Sequence, residues 1–231
     1  MKRAEMLLLD ILYPNRCDCC DDRIPYDRLI CDACTEMLLN QRITYADWAA
    51  SNPENPWETG TVLFSYADAA RTGVLAMKDG RRGFCRFAAK LLAESLAENG
   101  SYSFVTWVPI TAKRRRLQGY AHAEYLAKCI AEELQIPMRG GLIEEHAGSV
   151  RQHDLPAEER RKYAERFTGT GADLSGAQIL LADDILTTGA TLRRCASLLL
   201  EMGAARVDIA AVCAGIRDVS QTRNEQNQKI R

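Results

Sequence analysis

The stretch Ile179-Leu180-Leu181-Ala182-Asp183-Asp184-Ile185-Leu186-Thr187-Thr188-Gly189-Ala190-Thr191 decides how this chain is read. Its apolar run, Ile179 to Ala182, suits a parallel strand covered on both faces. Asp183 and Asp184 stand where that strand is expected to end. A small hydroxyl-rich turn follows, Thr187 to Thr191, and opens a helix. In that helix Leu192, Cys195, Ala196, Leu199 and Met202 recur at helical spacing, and Gly203 sits at the left-handed stop. A strand, a tight turn and a helix N-terminus together make an anion site, because backbone N–H groups and the helix dipole point the same way. Gly189 allows close approach of a phosphate, and the threonine hydroxyls add donors. Two aspartates just upstream would repel a bare phosphate, yet they accept hydrogen bonds well from a diol. The pattern therefore asks for a ribose 5-phosphate. The plainer alternative is a strand-to-helix connection with an acidic cap. No G-x-x-x-x-G-K-[ST] occurs, so a P-loop is not the rival.

Working outward, strand-like and helix-like segments alternate from residue 61 to 214, which predicts an α/β fold with a mainly parallel sheet. Thr61 to Tyr66, Phe104 to Ile110, a short piece at Leu142-Ile143, and Arg206 to Ala214 read as strands. Phe84 to Asn99 and Tyr120 to Gln135 read as helices. A ligand belongs at the strand C-termini, where Asp183 to Thr191 lies. Residues 1–12 read as a short amphipathic helix. The stretch His146 to Phe167 is charged. Residues 217–231 are almost free of apolar side chains and read as a polar tail.

The 231 residues fit one large domain with a small appendage. Thirty basic and 31 acidic residues nearly cancel, so only local patches could speak for nucleic acid. Five of nine cysteines fall between Cys17 and Cys34. Cys17 and Cys20 form one C-x-x-C, and Cys31 and Cys34 form another, the spacing of a structural four-thiolate zinc site. Cys19 is a spare that could compete as a ligand. The alternative is a pair of disulfides, which a reducing compartment disfavours. With no signal-peptide pattern and no bilayer-length apolar run, a cytoplasmic location is expected. The expected organisation is a zinc-ribbon-like module over 1–43, a linker over 44–60 rich in Asn, Pro and Glu, the main domain over 61–216, and the tail.

The stretch 179–191 resembles the phosphoribosyl-diphosphate (PRPP) signature of type I phosphoribosyltransferases. That resemblance implies ribose hydroxyls at Asp183 and Asp184 and the 5-phosphate at Thr187, Thr188, Gly189, Ala190 and Thr191. Lys78-Asp79-Gly80-Arg81 resembles the pyrophosphate loop of that family, and Lys113-Arg114-Arg115-Arg116 would form its mobile lid. The basic run has a second reading, a face for nucleic acid. Over nearly its whole length the chain is similar to the competence-protein F (ComF) family, phosphoribosyltransferase-like proteins with an N-terminal cysteine module. The carriers are the two C-x-x-C motifs, Met77-Lys78-Asp79-Gly80, and Val108-Pro109-Ile110 leading to Arg114-Arg115-Arg116-Leu117-Gln118-Gly119-Tyr120. Further carriers are Arg151-Gln152 with Glu159-Arg160-Arg161, and the aspartate pair. Where similar proteins commonly carry Arg-Gly-Phe-Asn-Gln, this chain has Gln118-Gly119-Tyr120-Ala121-His122, and Asp79 stands where an aromatic is often seen.

The resemblance implies a role in competence and DNA uptake, with single-stranded DNA and a helicase as partners and Mg²⁺ accompanying PRPP. The alternative is an active transferase moving ribose 5-phosphate from PRPP to an unknown base or amine. No residue is identified as a catalytic base, and oligomeric state is left open. A glutamine-using amidotransferase is disfavoured, because it needs an N-terminal cysteine nucleophile and a glutaminase domain, whereas Met1-Lys2 and a cysteine module open this chain.

Overall fold

A computed structural model describes residues 14–50, 52, 54–98, 100–118, 120–146 and 166–215. The expected helix over 1–12, the Arg151 to Arg161 carriers and the tail over 217–231 lie outside the described residues.

Four parallel strands form the central sheet: β1 (Gly60–Ser65), β2 (Phe104–Trp107), β5 (Gln178–Leu186) and β6 (Arg206–Ala214). Their order is β1-β6-β5-β2, so the stretch 178–186 is an interior strand with a neighbour on each side. This explains its apolar start: neither face meets water. A small antiparallel pair, β3 (Ile143–Glu145) and β4 (Phe167–Gly169), stands apart from that sheet.

The helices are α1 (Asp32–Asn40), α2 (Tyr45–Ala49), α3 (Asp68–Lys78), α4 (Gly83–Leu96), α5 (Ala112–Gln118), α6 (His122–Leu134) and α7 (Ala190–Glu201). Alternation along β5 divides the core in two. Leu180 and Ala182 pack with Val74, Phe84, Leu92, Leu126 and Ile130 from α3, α4 and α6. Ile179 and Leu181 pack with Leu192, Cys195 and Leu199 of α7 and with Trp48 and Trp57. Because successive side chains of a strand point to opposite faces, the same alternation sends Asp184 toward α3 and α6.

Two expectations change in detail. The strand does not end before the aspartates; β5 continues through both to Leu186. The apolar run Val74 to Met77, just ahead of Lys78, is the last turns of an eleven-residue helix, α3. Its Gly73 is required by packing, since a Cβ there would lie 2.5 Å from the Phe84 ring. The segment 44–60, expected as a linker, is a packed strap. Thr44 and Asp47 form a capping box for α2, and Trp48 and Trp57 are buried with ring centroids 6.2 Å apart. Its Asn, Pro and Glu composition conceals two aromatic anchors that together remove a large apolar area from water.

Candidate functional site: a cleft at the ends of β2 and β5

The turn after β5 is braced from outside. Gly189 precedes α7 in the left-handed region, φ 74°, where glycine alone is unstrained. A Cβ there would also lie 2.9 Å from Trp48. The Trp48 indole N–H donates to the Thr187 carbonyl at 2.7 Å. The Arg193 guanidinium donates to the Thr188 carbonyl at 2.7 Å and to the Glu54 carbonyl at 2.8 Å. With these two carbonyls held on the outer side, the turn presents the N-terminus of the twelve-residue α7 to the cleft. The cleft has a volume of about 220 Å³, and Thr187, Thr188, Gly189, Ala190 and Thr191 all line it.

Opposite them stand the aspartates. Asp183 is half-buried, and its Oδ1 accepts from the Asp184 N–H at 2.9 Å. Burial first, and the neighbouring Asp184 charge second, push the Asp183 carboxyl well above its ordinary value. Asp184 is buried and has the opposite fate. Burial works against its charge, but Lys78 and then His122 outweigh burial and hold it below the usual carboxylate value. Lys78 Nζ lies 2.9 Å from Asp184 Oδ2, and His122 Nε2 lies 3.4 Å from the same oxygen. Burial depresses the His122 imidazole, with Asp184 acting against that and Lys78 and Arg114 with it. The surroundings thus favour charge on Asp184 and disfavour it on Asp183.

The expected basic turn is split by the structure. Lys78 lines the cleft. Arg81 turns away: its Nε pairs with Asp18 at 2.8 Å, and its Nη2 donates to the carbonyls of Arg16 and Cys17. Gly80 takes φ 89° between them. The basic run is split as well. Arg114 lines the cleft, Arg115 pairs with Glu124 at 2.9 Å, and Lys113 and Arg116 are exposed. The run forms a short helix, α5, capped by the Thr111 hydroxyl, which accepts from the Arg114 N–H at 3.2 Å. Beneath it, the buried Glu145 carboxylate accepts from the Thr111 N–H at 2.7 Å and pairs with Arg166 at 2.9 Å.

The sulfurs of Cys17, Cys20, Cys31 and Cys34 lie within 4.8 Å of one another. A tetrahedral zinc with Zn–S bonds of about 2.3 Å would set them about 3.8 Å apart, and Cys20 and Cys31 are already at 3.6 Å. The Cys19 N–H donates to Cys17 Sγ and the Cys34 N–H to Cys31 Sγ, at 3.5 and 3.3 Å, which suits thiolates. Cys19 itself is outside the cluster, and burial raises its thiol. The cluster therefore fits a structural zinc with no open position.

Asp18, inside the first C-x-x-C, reaches across to α4. Its Oδ2 accepts from the Phe84 N–H at 2.7 Å, capping that helix from another part of the chain. Gly83 makes room, since a Cβ there would meet the Leu29 carbonyl at 2.7 Å. The roles of Trp48, His122, Glu145 and the Asp18–Arg81 pair do not follow from sequence. The Trp in an otherwise polar segment and the motif departure at His122 are the signals the sequence offers for them.

Residues 122–229 match the phosphoribosyl transferase domain family. The DNA utilization protein YhgH of Escherichia coli O157:H7 is 23% identical over 85% of this chain and 89% of that protein. Competence protein F of Haemophilus influenzae is 27% identical over 44% of this chain and 46% of its own. Among solved structures, the glutamine PRPP amidotransferase of B. subtilis is similar at 21% identity and a TM-score of 0.39. That likeness covers 61% of this chain and 27% of the amidotransferase. Among the described residues no helix is long and apolar enough to cross a membrane.

Proposed function

We propose that this phosphoribosyltransferase-like protein of the competence-protein F family binds PRPP, or a related ribose 5-phosphate ligand, in the cleft between Lys78 and the turn 187–191. The observation that carries this reading is one continuous piece of chain: an aspartate pair, one member held by Lys78 at 2.9 Å, running into a braced helix N-terminus. In this reading the 5-phosphate lies against Thr187 to Thr191, Asp183 and Asp184 accept from the ribose hydroxyls, and Lys78 and Arg114 face the diphosphate. Asp79, Gly80 and Arg81 shape and support the Lys78 turn instead of contacting ligand. Mg²⁺ bound with the ligand would supply charge neutralisation at the diphosphate, beside Lys78 and Arg114. Zinc is the ion assigned to Cys17, Cys20, Cys31 and Cys34.

By analogy with the DNA-utilization and competence relatives, the protein acts in DNA uptake in the cytoplasm, beside a helicase. Lys113, Arg114, Arg115 and Arg116 are the candidate contacts for single-stranded DNA. Exposed Lys113 and Arg116 favour that role, whereas Arg115 is engaged by Glu124. A second reading, transfer of ribose 5-phosphate to a base or amine, is favoured by the completeness of the phosphate turn. Positioning and charge stabilisation of an oxocarbenium-like centre would then supply the catalysis.

Titration calorimetry with PRPP, with and without Mg²⁺, is the test. Saturable binding that is stronger than that of inorganic diphosphate is expected. Indifference to PRPP at millimolar concentration would remove the reading. Release of diphosphate with an added base or amine would select the transferase.

A further inference from the structure

His122 has no part in the reading above, yet it is buried, lines the cleft and sits 3.4 Å from the oxygen that Lys78 also holds. Its Nδ1 is buried without a hydrogen-bond partner. We propose that His122 is a positioning residue that takes up a proton when ligand binds, replacing Lys78 as the counter-charge of Asp184 and freeing Lys78 for the ligand's phosphates. This rests on the ribose 5-phosphate reading.

The argument is one of charge balance. Lys78 is the cation nearest the buried Asp184 carboxylate, at 2.9 Å. A cation cannot fully serve a carboxylate and a diphosphate at once. If Lys78 swings to the diphosphate, Asp184 is left as a buried charge without a partner, which proteins strongly avoid. Protonation of Asp184 would solve that, but it would cost the ribose hydroxyls an acceptor. Protonation of the adjacent imidazole solves it and keeps the acceptor.

The surroundings of His122 suit such an exchange. Facing it are Asp184 from β5, Lys78 from α3 and Arg114 from α5. On its own helix, Glu124 is taken by Arg115, and from α4 Arg82 lies over the Tyr125 ring, 5.0 Å from its centroid. Of the three groups that face it, Asp184 favours imidazolium, and Lys78 and Arg114 oppose it. Ligand phosphates neutralise both opposing charges at once. The proton comes from bulk buffer and goes onto Nδ1, since Nε2 already faces Asp184.

The chain has three histidines, which makes imidazole NMR tractable. In wild type without ligand, His122 should titrate below 6.5, the ordinary histidine value. In Lys78→Met without any ligand, it should titrate higher than in wild type, and Lys78→Met with Asp184→Asn should bring it back down. With saturating PRPP, wild-type His122 should again titrate higher than it does without ligand. Calorimetry in two buffers of different ionisation heat should show about one more proton taken up by wild type than by His122→Gln. A His122 that titrates no higher in Lys78→Met than in wild type overturns the handover without reference to any ligand. Binding of PRPP with equal proton uptake in wild type and His122→Gln overturns it as well. Absence of PRPP binding overturns the ligand reading, and this inference with it. Should Lys78→Met not fold, the wild-type titration with and without PRPP decides alone.

Discussion

The turn 187–191 lines the cleft, as does Lys78 at the head of the turn 78–83, and the two turns are held by different means. The turn 187–191 is braced by its own layer: Trp48 and Arg193 fix its carbonyls, and Trp48 packs where a Cβ on Gly189 would have gone. The turn 78–83 is braced by the four-cysteine module, through Asp18 on the Phe84 N–H and Arg81 on the Arg16 and Cys17 carbonyls. One wall of the site thus draws its rigidity from aromatic packing and hydrogen bonds. The other draws it from a region whose own order is expected to depend on metal. A single cleft then has two walls that different perturbations should loosen separately.

The largest effect is expected from Cys31→Ser. Structural zinc sites contribute apparent free energies of about 10–16 kcal/mol, so the module should unfold and zinc content should fall from one per chain. The α/β core should still melt cooperatively. Loss of a helix cap costs about 1 kcal/mol, so PRPP affinity should drop on the order of fivefold through the loosened Lys78 turn. Elemental analysis and calorimetry check both parts. Unchanged PRPP affinity in the zinc-free variant would break the link between module and turn.

Next comes Asp183→Ala with Asp184→Ala. Hydrogen bonds to charged groups are worth about 1.5–3 kcal/mol each, so PRPP affinity should fall roughly 100-fold. Inorganic phosphate should be little affected, because the braced turn remains. Equal losses for both ligands would make the pair structural.

How much of this is legible from sequence follows the same division. The aspartate pair, the glycine turn and the doubled C-x-x-C are local patterns in which the chemistry sits within a few residues, and spacing alone exposes them. The braces are not local. Trp48 and Thr187 are 139 residues apart, and Arg81 and Cys17 are 64 apart. Composition misdirects the reading of 44–60, because polar residues surround its two tryptophans. Lys78 and Arg81 look alike as cations of one turn. Helix α3 ends at Lys78, and the chain reverses through Gly80, so the two side chains leave in different directions. His122 stands out in the sequence only as a departure from an expected motif. Its pairing with Asp184 depends on how α6 docks on β5, which no short window contains.

A smaller effect should separate the walls from the other side. Trp48→Phe keeps an aromatic ring and removes the indole N–H, at a cost of about 1 kcal/mol. Ribose 5-phosphate affinity should fall a few-fold while zinc content and inorganic diphosphate binding stay as in wild type. A Trp48→Phe protein that binds ribose 5-phosphate like wild type would show that the turn holds its shape unaided. The smallest effect concerns the outer rim. Replacing Lys113, Arg114, Arg115 and Arg116 with Ala should flatten the salt dependence of single-stranded DNA binding by about 0.7 for each DNA phosphate that is no longer neutralised. Fluorescence anisotropy across a salt series measures it. An identical slope would leave the rim without a role in DNA.

The placement of Asp18 bears on how this protein could be cut, fused or inherited. It lies between two cysteines of one knuckle, while the group it caps belongs to a helix of the main domain. A fragment beginning after the module would carry an α4 stripped of its cap and an Arg81 stripped of its acids. The boundary that composition suggests at the end of the cysteine region is therefore not a seam. Exchange of this module for another metal-binding cassette would need an acid at the same place in the knuckle. The two parts should be gained, lost and recombined as one piece.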